Sequence, residues 1–134
     1  MLSAIELHDT IVTHCGQRDG DLVLRLSPAL LHRAPTSPGF EAGDVFMLDL
    51  DVVLRHGAFR EPFTELPTKL QGGSITVRSD RYDNCVPFPL DIGGPVTVAL
   101  IDYNGRDVEL TANAISLVPT SSEIYLESFP GSDA

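Results

Sequence analysis

The stretch "PVTVALIDYNGRDVELTANAISLVP" (residues 95–119) constrains the fold more than any other part of the chain. Two runs of alternating apolar and polar residues meet at Asn104–Gly105, a dipeptide suited to a type I′ turn. A two-residue period places successive side chains on opposite faces of a strand, so the stretch predicts a β-hairpin. Within the second run Val108, Leu110 and Ala112 share one face, whereas Ile115 and Leu117 have the opposite parity. A strand keeps its phase unless a residue is inserted, so a β-bulge is expected near Asn113.

The same period recurs elsewhere, and helical periodicity does not. "TIVTHCGQ" and "DLVLRLS" flank "RDG", a hairpin turn in which Gly20 can take a positive φ. Pro28 interrupts the second of these strands before "ALLHRA". The prolines and glycines of "PTSPGFEAGD" (35–44) predict a loop. "VFMLDLDVVLRHG" then sets Phe46, Leu48, Leu50, Val52 and Leu54 on a buried face, and Met47, Asp49, Asp51, Val53 and Arg55 on a mostly wet one. "AFREPFTELPTKL" is read as a loop followed by a short strand, "QGGSITVRS" as a turn into a strand, and "SEIYLESF" as the last strand. Residues 130–134 are expected to form a frayed tail. The pattern predicts one all-β domain over residues 1–134, an antiparallel β-sandwich of about eight or nine strands, with a closed or partly open β-barrel as the alternative.

A chain of 134 residues can bury a sizeable core without a metal or disulfide staple. Its 19 acids against 9 Lys and Arg give a net charge of −10, which disfavours nucleic acid and anionic membrane surfaces and suits a basic protein partner. The opening residues place Glu6, His8 and Asp9 where a leader peptide needs an apolar core, and no apolar run reaches the roughly 18 residues of a membrane span. The expectation is a cytoplasmic protein with reduced thiols; a Cys15–Cys85 bridge is left open.

"YDNCVPFPLDIGGP" (82–95) has the composition of an active-site loop but is better explained as a sheet edge. Proline cannot donate to a ladder, and Pro87 and Pro89 point their missing N–H groups to the same side. That side is closed to pairing, so an edge strand is expected. "RYDN" before it and "IGGP" after it are read as turns, and Tyr82, Asp83 and Asn84 as the candidate binding residues of this region.

Chemistry-bearing motifs are sparse. His8, His14, His32 and His56 give no metal-ligand spacing, and His14 and Cys15 face opposite sides of one strand, so no metal or other cofactor is expected. In "HDT" (8–10), Asp9 and Thr10 are expected to accept backbone donors locally. Asp49 and Asp51 lie roughly 7 Å apart on the wet strand face, a carboxylate pair that suits contact with a basic partner better than glycoside cleavage. Nucleophile-elbow, Walker A, G-x-G-x-x-G and H-E-x-x-H patterns are missing, so nothing argues for an enzyme. If a small-ligand site exists, His8, Asp9, His32 and Tyr82 are its first candidates, as polar residues near strand ends.

"LHDT" (7–10), "YDNCVPFPL" (82–90), "GPVTV" (94–98) and "YLESFPG" (125–131) resemble the motifs of a group of small uncharacterised bacterial all-β proteins. That group opens with LHD(S/T) before a hairpin, carries a YDN centre followed by spaced prolines, and ends near Y-x-E-x-F-P-G. The first 30 residues are also similar to openings of immunity proteins from bacterial toxin systems. These resemblances imply a bacterial interaction module. The leading expectation is therefore a non-catalytic binding protein, compatible with a homodimer; the alternative is a small-ligand or metal-binding β protein.

Overall fold

The computed structural model describes residues 1–132 and contains strands but no helix among them. In chain order the strands are β1 (Leu2–Glu6), β2 (Ile11–Arg18), β3 (Asp21–Ala34), β4 (Gly43–Arg55), β5 (Ala58–Glu61), β6 (Thr68–Lys69), β7 (Gly72–Val77), β8 (Asp80–Asp83), β9 (Cys85–Phe88), β10 (Asp91–Ile101), β11 (Asp107–Pro119) and β12 (Ile124–Phe129). All twelve join one antiparallel sheet whose main path is β6-β2-β3-β4-β11-β10-β7-β8. The sheet curls into a half-barrel, the partly open form of the barrel alternative. The strands beyond the expected eight or nine are short ones, such as β5, β6 and β8, in which two to four residues are too few to display a period.

Two rows of irregular backbone bend this sheet. The first crosses the strands at His56–Gly57, Asn113, Gly94–Pro95 and Arg78. β4 and β5 pair with β11 in one register from Arg55 opposite Ala114 to Phe59 opposite Leu110, broken at His56–Gly57, and the register shifts again before Glu61 opposite Glu109. There His56 takes a φ of 51° and its ring Nδ1 lies 3.2 Å from Asn113 Nδ2. The β10–β11 ladder steps from Ala112–Val96 to Ala114–Gly93, so the extra residue of the expected bulge lies on β10, across from Asn113. The parity change is as the sequence requires: Val108, Leu110 and Ala112, then Ile115 and Leu117, are buried. Arg78 continues the row with a φ of 57° and donates its N–H to the Pro95 carbonyl at 2.8 Å.

The second row runs through Ser27–Pro28 and Asp49, where the β3–β4 register shifts. On one side of it β3 pairs with β2 and β4 with β11; on the other β3 pairs with β1 and β4 with β12. The β3–β4 hairpin is thus shared by both parts of the curl. Its inward residues, including Leu24, Leu31, Leu50 and Leu54, join Ile5, Leu70, Leu110 and Ile115 in a core whose side chains are 1% exposed or less. Val86 of β9 completes it from the far rim.

Turn chemistry departs from expectation in three places. At Asn104–Gly105 only Gly105 has a positive φ, 78°, so the connection is not type I′. The buried Asp102 carboxylate organises it instead, accepting the N–H groups of Asn104 and Arg106 at 2.9 Å each. Arg81 to Asp83 of "RYDN" belong to β8, paired with β7, and only Asn84 turns, with a φ of 63°. "IGG" is the start of β10 rather than a turn. The edge reading of "CVPFP" holds: β9 pairs with β1 alone, with Pro87 opposite Ala4. Of the expected tail, Ser132 donates its N–H to the Phe40 carbonyl at 2.9 Å, while Asp133 and Ala134 lie outside the described residues.

Candidate functional site

Asn84 is the point where the two rims of the curl meet. Its N–H donates to the Gly73 carbonyl of β7 at 2.9 Å, and its own carbonyl accepts the Leu7 N–H at 2.7 Å. Its side-chain Oδ1 accepts the His8 N–H at 2.8 Å. Beside it the "LHDT" turn reverses the chain between β1 and β2, with Asp9 at a φ of 69° and its N–H donated to the Leu70 carbonyl. The expectation that Asp9 and Thr10 accept backbone donors is replaced by other contacts. The Thr10 hydroxyl donates to the Glu6 carbonyl at 2.6 Å, and the Asp9 carboxylate lies 3.4 Å from His8 Nδ1 and 3.8 Å from Lys69 Nζ.

Glu6, which nothing in the sequence singled out, holds these groups together. Its carboxylate lies 3.1 Å from Nε2 of the buried His32, whose ring meets Phe129 edge-on with centroids 4.9 Å apart. Burial pushes the Glu6 carboxyl up, but the hydrogen bond and charge of His32, with help from His8 and Asn84, outweigh it and leave the group below its ordinary value of 4.5. A depressed folded-state value means the ionised carboxylate stabilises the fold above about pH 4.5 and loses that contribution as pH falls through the folded value. Glu6→Gln is therefore expected to open a stability gap to wild type at pH 6 that narrows at pH 3, followed by urea unfolding at both. Equal gaps at the two pH values would show that the carboxylate's charge plays no part.

Next to this cluster lies a cleft of about 620 Å³. Its walls are Met1 and the start of β1 (Leu2 to Ala4), the loop after β3 (Thr36 to Pro38, and Phe40), Tyr82 of β8, and Cys85, Pro87, Phe88 and Pro89 on the edge strand. Among the described residues no charged side chain lines it; its polar groups are the hydroxyls of Ser3, Thr36, Ser37 and Tyr82, and the Cys85 thiol. The loop is held by Glu41, whose carboxylate accepts the Ser37 N–H at 2.8 Å and the Thr36 N–H at 2.5 Å. Gly39, at a φ of 91°, lets the loop close on β9, since a Cβ there would lie 2.6 Å from Cys85 Sγ. Burial, then the nearby Glu6 charge, push the Cys85 thiol up to about 11, so it is neutral at physiological pH and a poor nucleophile. Cys15 and Cys85 are both free.

Of the residues picked out from sequence, His8, Asp9, His32, Tyr82 and Asn84 come together around Glu6 and the cleft. Asp83 does not: it faces away and pairs with Arg81 at 2.8 Å. Asp49 and Asp51 lie elsewhere and are not a wet carboxylate pair. Asp51 is buried because Arg25 and Arg18 fold over it, with Arg25 Nε 2.5 Å and Arg18 Nη2 3.6 Å from its oxygens. Asp49 accepts the Ser27 hydroxyl at 2.6 Å. Asp51 is thereby withdrawn from contact with a partner, whereas Asp49 stays partly exposed. Among the described residues no three His, Cys, Asp or Glu side chains converge as metal ligands. Among the described residues no helix is long and apolar enough to cross a membrane. No protein-family model, curated protein or solved structure matches the chain.

Proposed function

We propose that this chain is a non-catalytic binding module and that the cleft beside β9 takes a neutral, largely apolar small ligand. The observation that carries the reading is a cleft whose lining side chains are all uncharged and whose volume falls within the roughly 300–1,000 Å³ of small-molecule sites. A ligand with an aromatic or aliphatic body would lie against Leu2, Phe40 and Phe88, and hydroxyl groups on it would find Ser3, Ser37 and Tyr82. The non-catalytic part is supported by the neutral Cys85 thiol and by Glu6, which His32 already engages. The N-terminal resemblance to immunity proteins and the charge of −10 are compatible with a cytoplasmic bacterial setting.

Amide shifts on titration with p-cresol, benzoate and benzylamine test this. p-Cresol should shift Ala4, Tyr82 and Phe88, and the two charged analogues should not. Phe40→Ala, at an exposed position, should weaken p-cresol about three- to tenfold, the worth of one aromatic contact. Equal binding of all three compounds, or shifts away from the cleft, would remove the proposal.

A further inference from the structure

Every strand at a sheet margin exposes backbone that another chain can pair with, and this protein guards most of its margins. β9 carries Pro87 and Pro89, β6 has two residues, and β8 is a four-residue strand in which Asp80, Arg81 and Asp83 are charged. β12 is different. It has six residues without proline, lysine or arginine, and it pairs only with β4, through a ladder that runs from Ile124–Met47 to Phe129–Gly43. Among the described residues its outer row of N–H and C=O groups has no backbone partner. Ile124, Tyr125 and Leu126 are 62%, 56% and 43% exposed in succession, and the edge is guarded only by the bulge at Leu126 and the single charge of Glu127 among the described residues.

We propose that β12 is a docking edge for an extended segment of another protein in which basic residues alternate with apolar ones, added to the sheet as a further strand. Main-chain hydrogen bonds would supply affinity, and Ile124 and Leu126 would supply apolar contact. The charge of the occupant follows from the acids around the edge. Glu123 and Glu127 flank the apolar residues, and Asp44 lies opposite Ser128. The nearby cation, Arg33, is already held by Glu123 through two hydrogen bonds of 2.8 and 2.9 Å. A second copy would bring the same acids and another net charge of −10 to the contact, which disfavours self-pairing, whereas lysines or arginines would meet unpaired acid at Glu127. This surface is separate from the cleft, and neither proposal depends on the other.

The test is titration of the protein with a capped nine-residue peptide of alternating lysine and valine, beside a glutamate–valine control, followed by amide shifts. The lysine peptide should shift residues 123–129, the control should not, and raising salt from 50 to 300 mM should weaken binding several-fold. Ile124→Lys with Glu127→Lys, two exposed changes whose folding the same spectrum checks, should weaken it at least tenfold. Absence of binding, equal binding of the glutamate peptide, or shifts confined to the cleft would each overturn the proposal. So would concentration-dependent dimerisation that shifts the β12 amides, since the occupant would then be a second copy.

Discussion

Replacing Arg25 with methionine is expected to destabilise the fold and lower the guanidinium midpoint, because it leaves the buried Asp51 carboxylate facing Arg18 alone. The Asp51 side chain is only 6% exposed, and Arg25 meets both of its oxygens, through Nε at 2.5 Å and Nη2 at 3.3 Å. Arg18 at 3.6 Å is the one remaining cation within reach. Burying a charge without a partner is far more costly than burying none, so the loss comes from Asp51 left behind and not from the attraction itself. The double variant Arg25→Met with Asp51→Leu should therefore recover most of that loss. Guanidinium unfolding of the three variants closes the cycle. Additive losses in the double variant would mean that Arg25 stabilises through packing of its stem on the sheet.

Gly43→Ala should cost about 3 kcal/mol, the upper end of overpacking penalties, and lower Tm by about 10 °C. Gly43 opens β4 beside the end of β3, where a new Cβ would sit against the Arg33 carbonyl oxygen and 3.0 Å from the Ala34 Cβ. Backbone cannot swing aside as a side-chain tip can, so the β3–β4 hairpin would have to part. Gly16→Ala is the internal control, because nothing lies within 4 Å of its Cβ position. Similar melting temperatures for the two variants would show that the hairpin yields at Gly43 without strain.

The strands were legible because each carries its own period. Alternation in 95–119 even located the bulge, since the parity change at Asn113 is a local fact of the sequence. The edge at Pro87 and Pro89 was equally local, a matter of missing donors. What could not be read depends on register between distant strands. Asp51 alternates with buried leucines and reads as solvent-facing; it is buried because Arg25, 26 positions earlier, lies directly across the ladder from it. Glu6 reaches His32 and lies opposite Cys85 only through β1 pairing with β3 on one side and β9 on the other. The cleft belongs to no motif: it forms where the loop after β3, the start of β1 and the edge strand meet. The turn at Asn104–Gly105 was placed correctly but given the wrong geometry, because Asp102 offers its neighbours' N–H groups a closer partner than the opposite strand does.

The pairing of β1 with β9 also bears on the order in which the molecule assembles. β2–β3, β3–β4, β7–β8 and β10–β11 are hairpins of chain neighbours, and each can zip from its own turn. β1–β9 instead joins Ser3 to Phe88 and Glu6 to Cys85, so nearly two-thirds of the chain must already be in place before the ends of that loop meet. Loop-closure entropy makes such a contact slow to form, as it does the equally distant β4–β12 pairing, and its few residues offer little to hold it. The cleft is built on that seam. Its walls therefore rest on a pairing that no local hairpin supplies, and opening that short ladder would admit a ligand while leaving the β3–β4 hairpin paired.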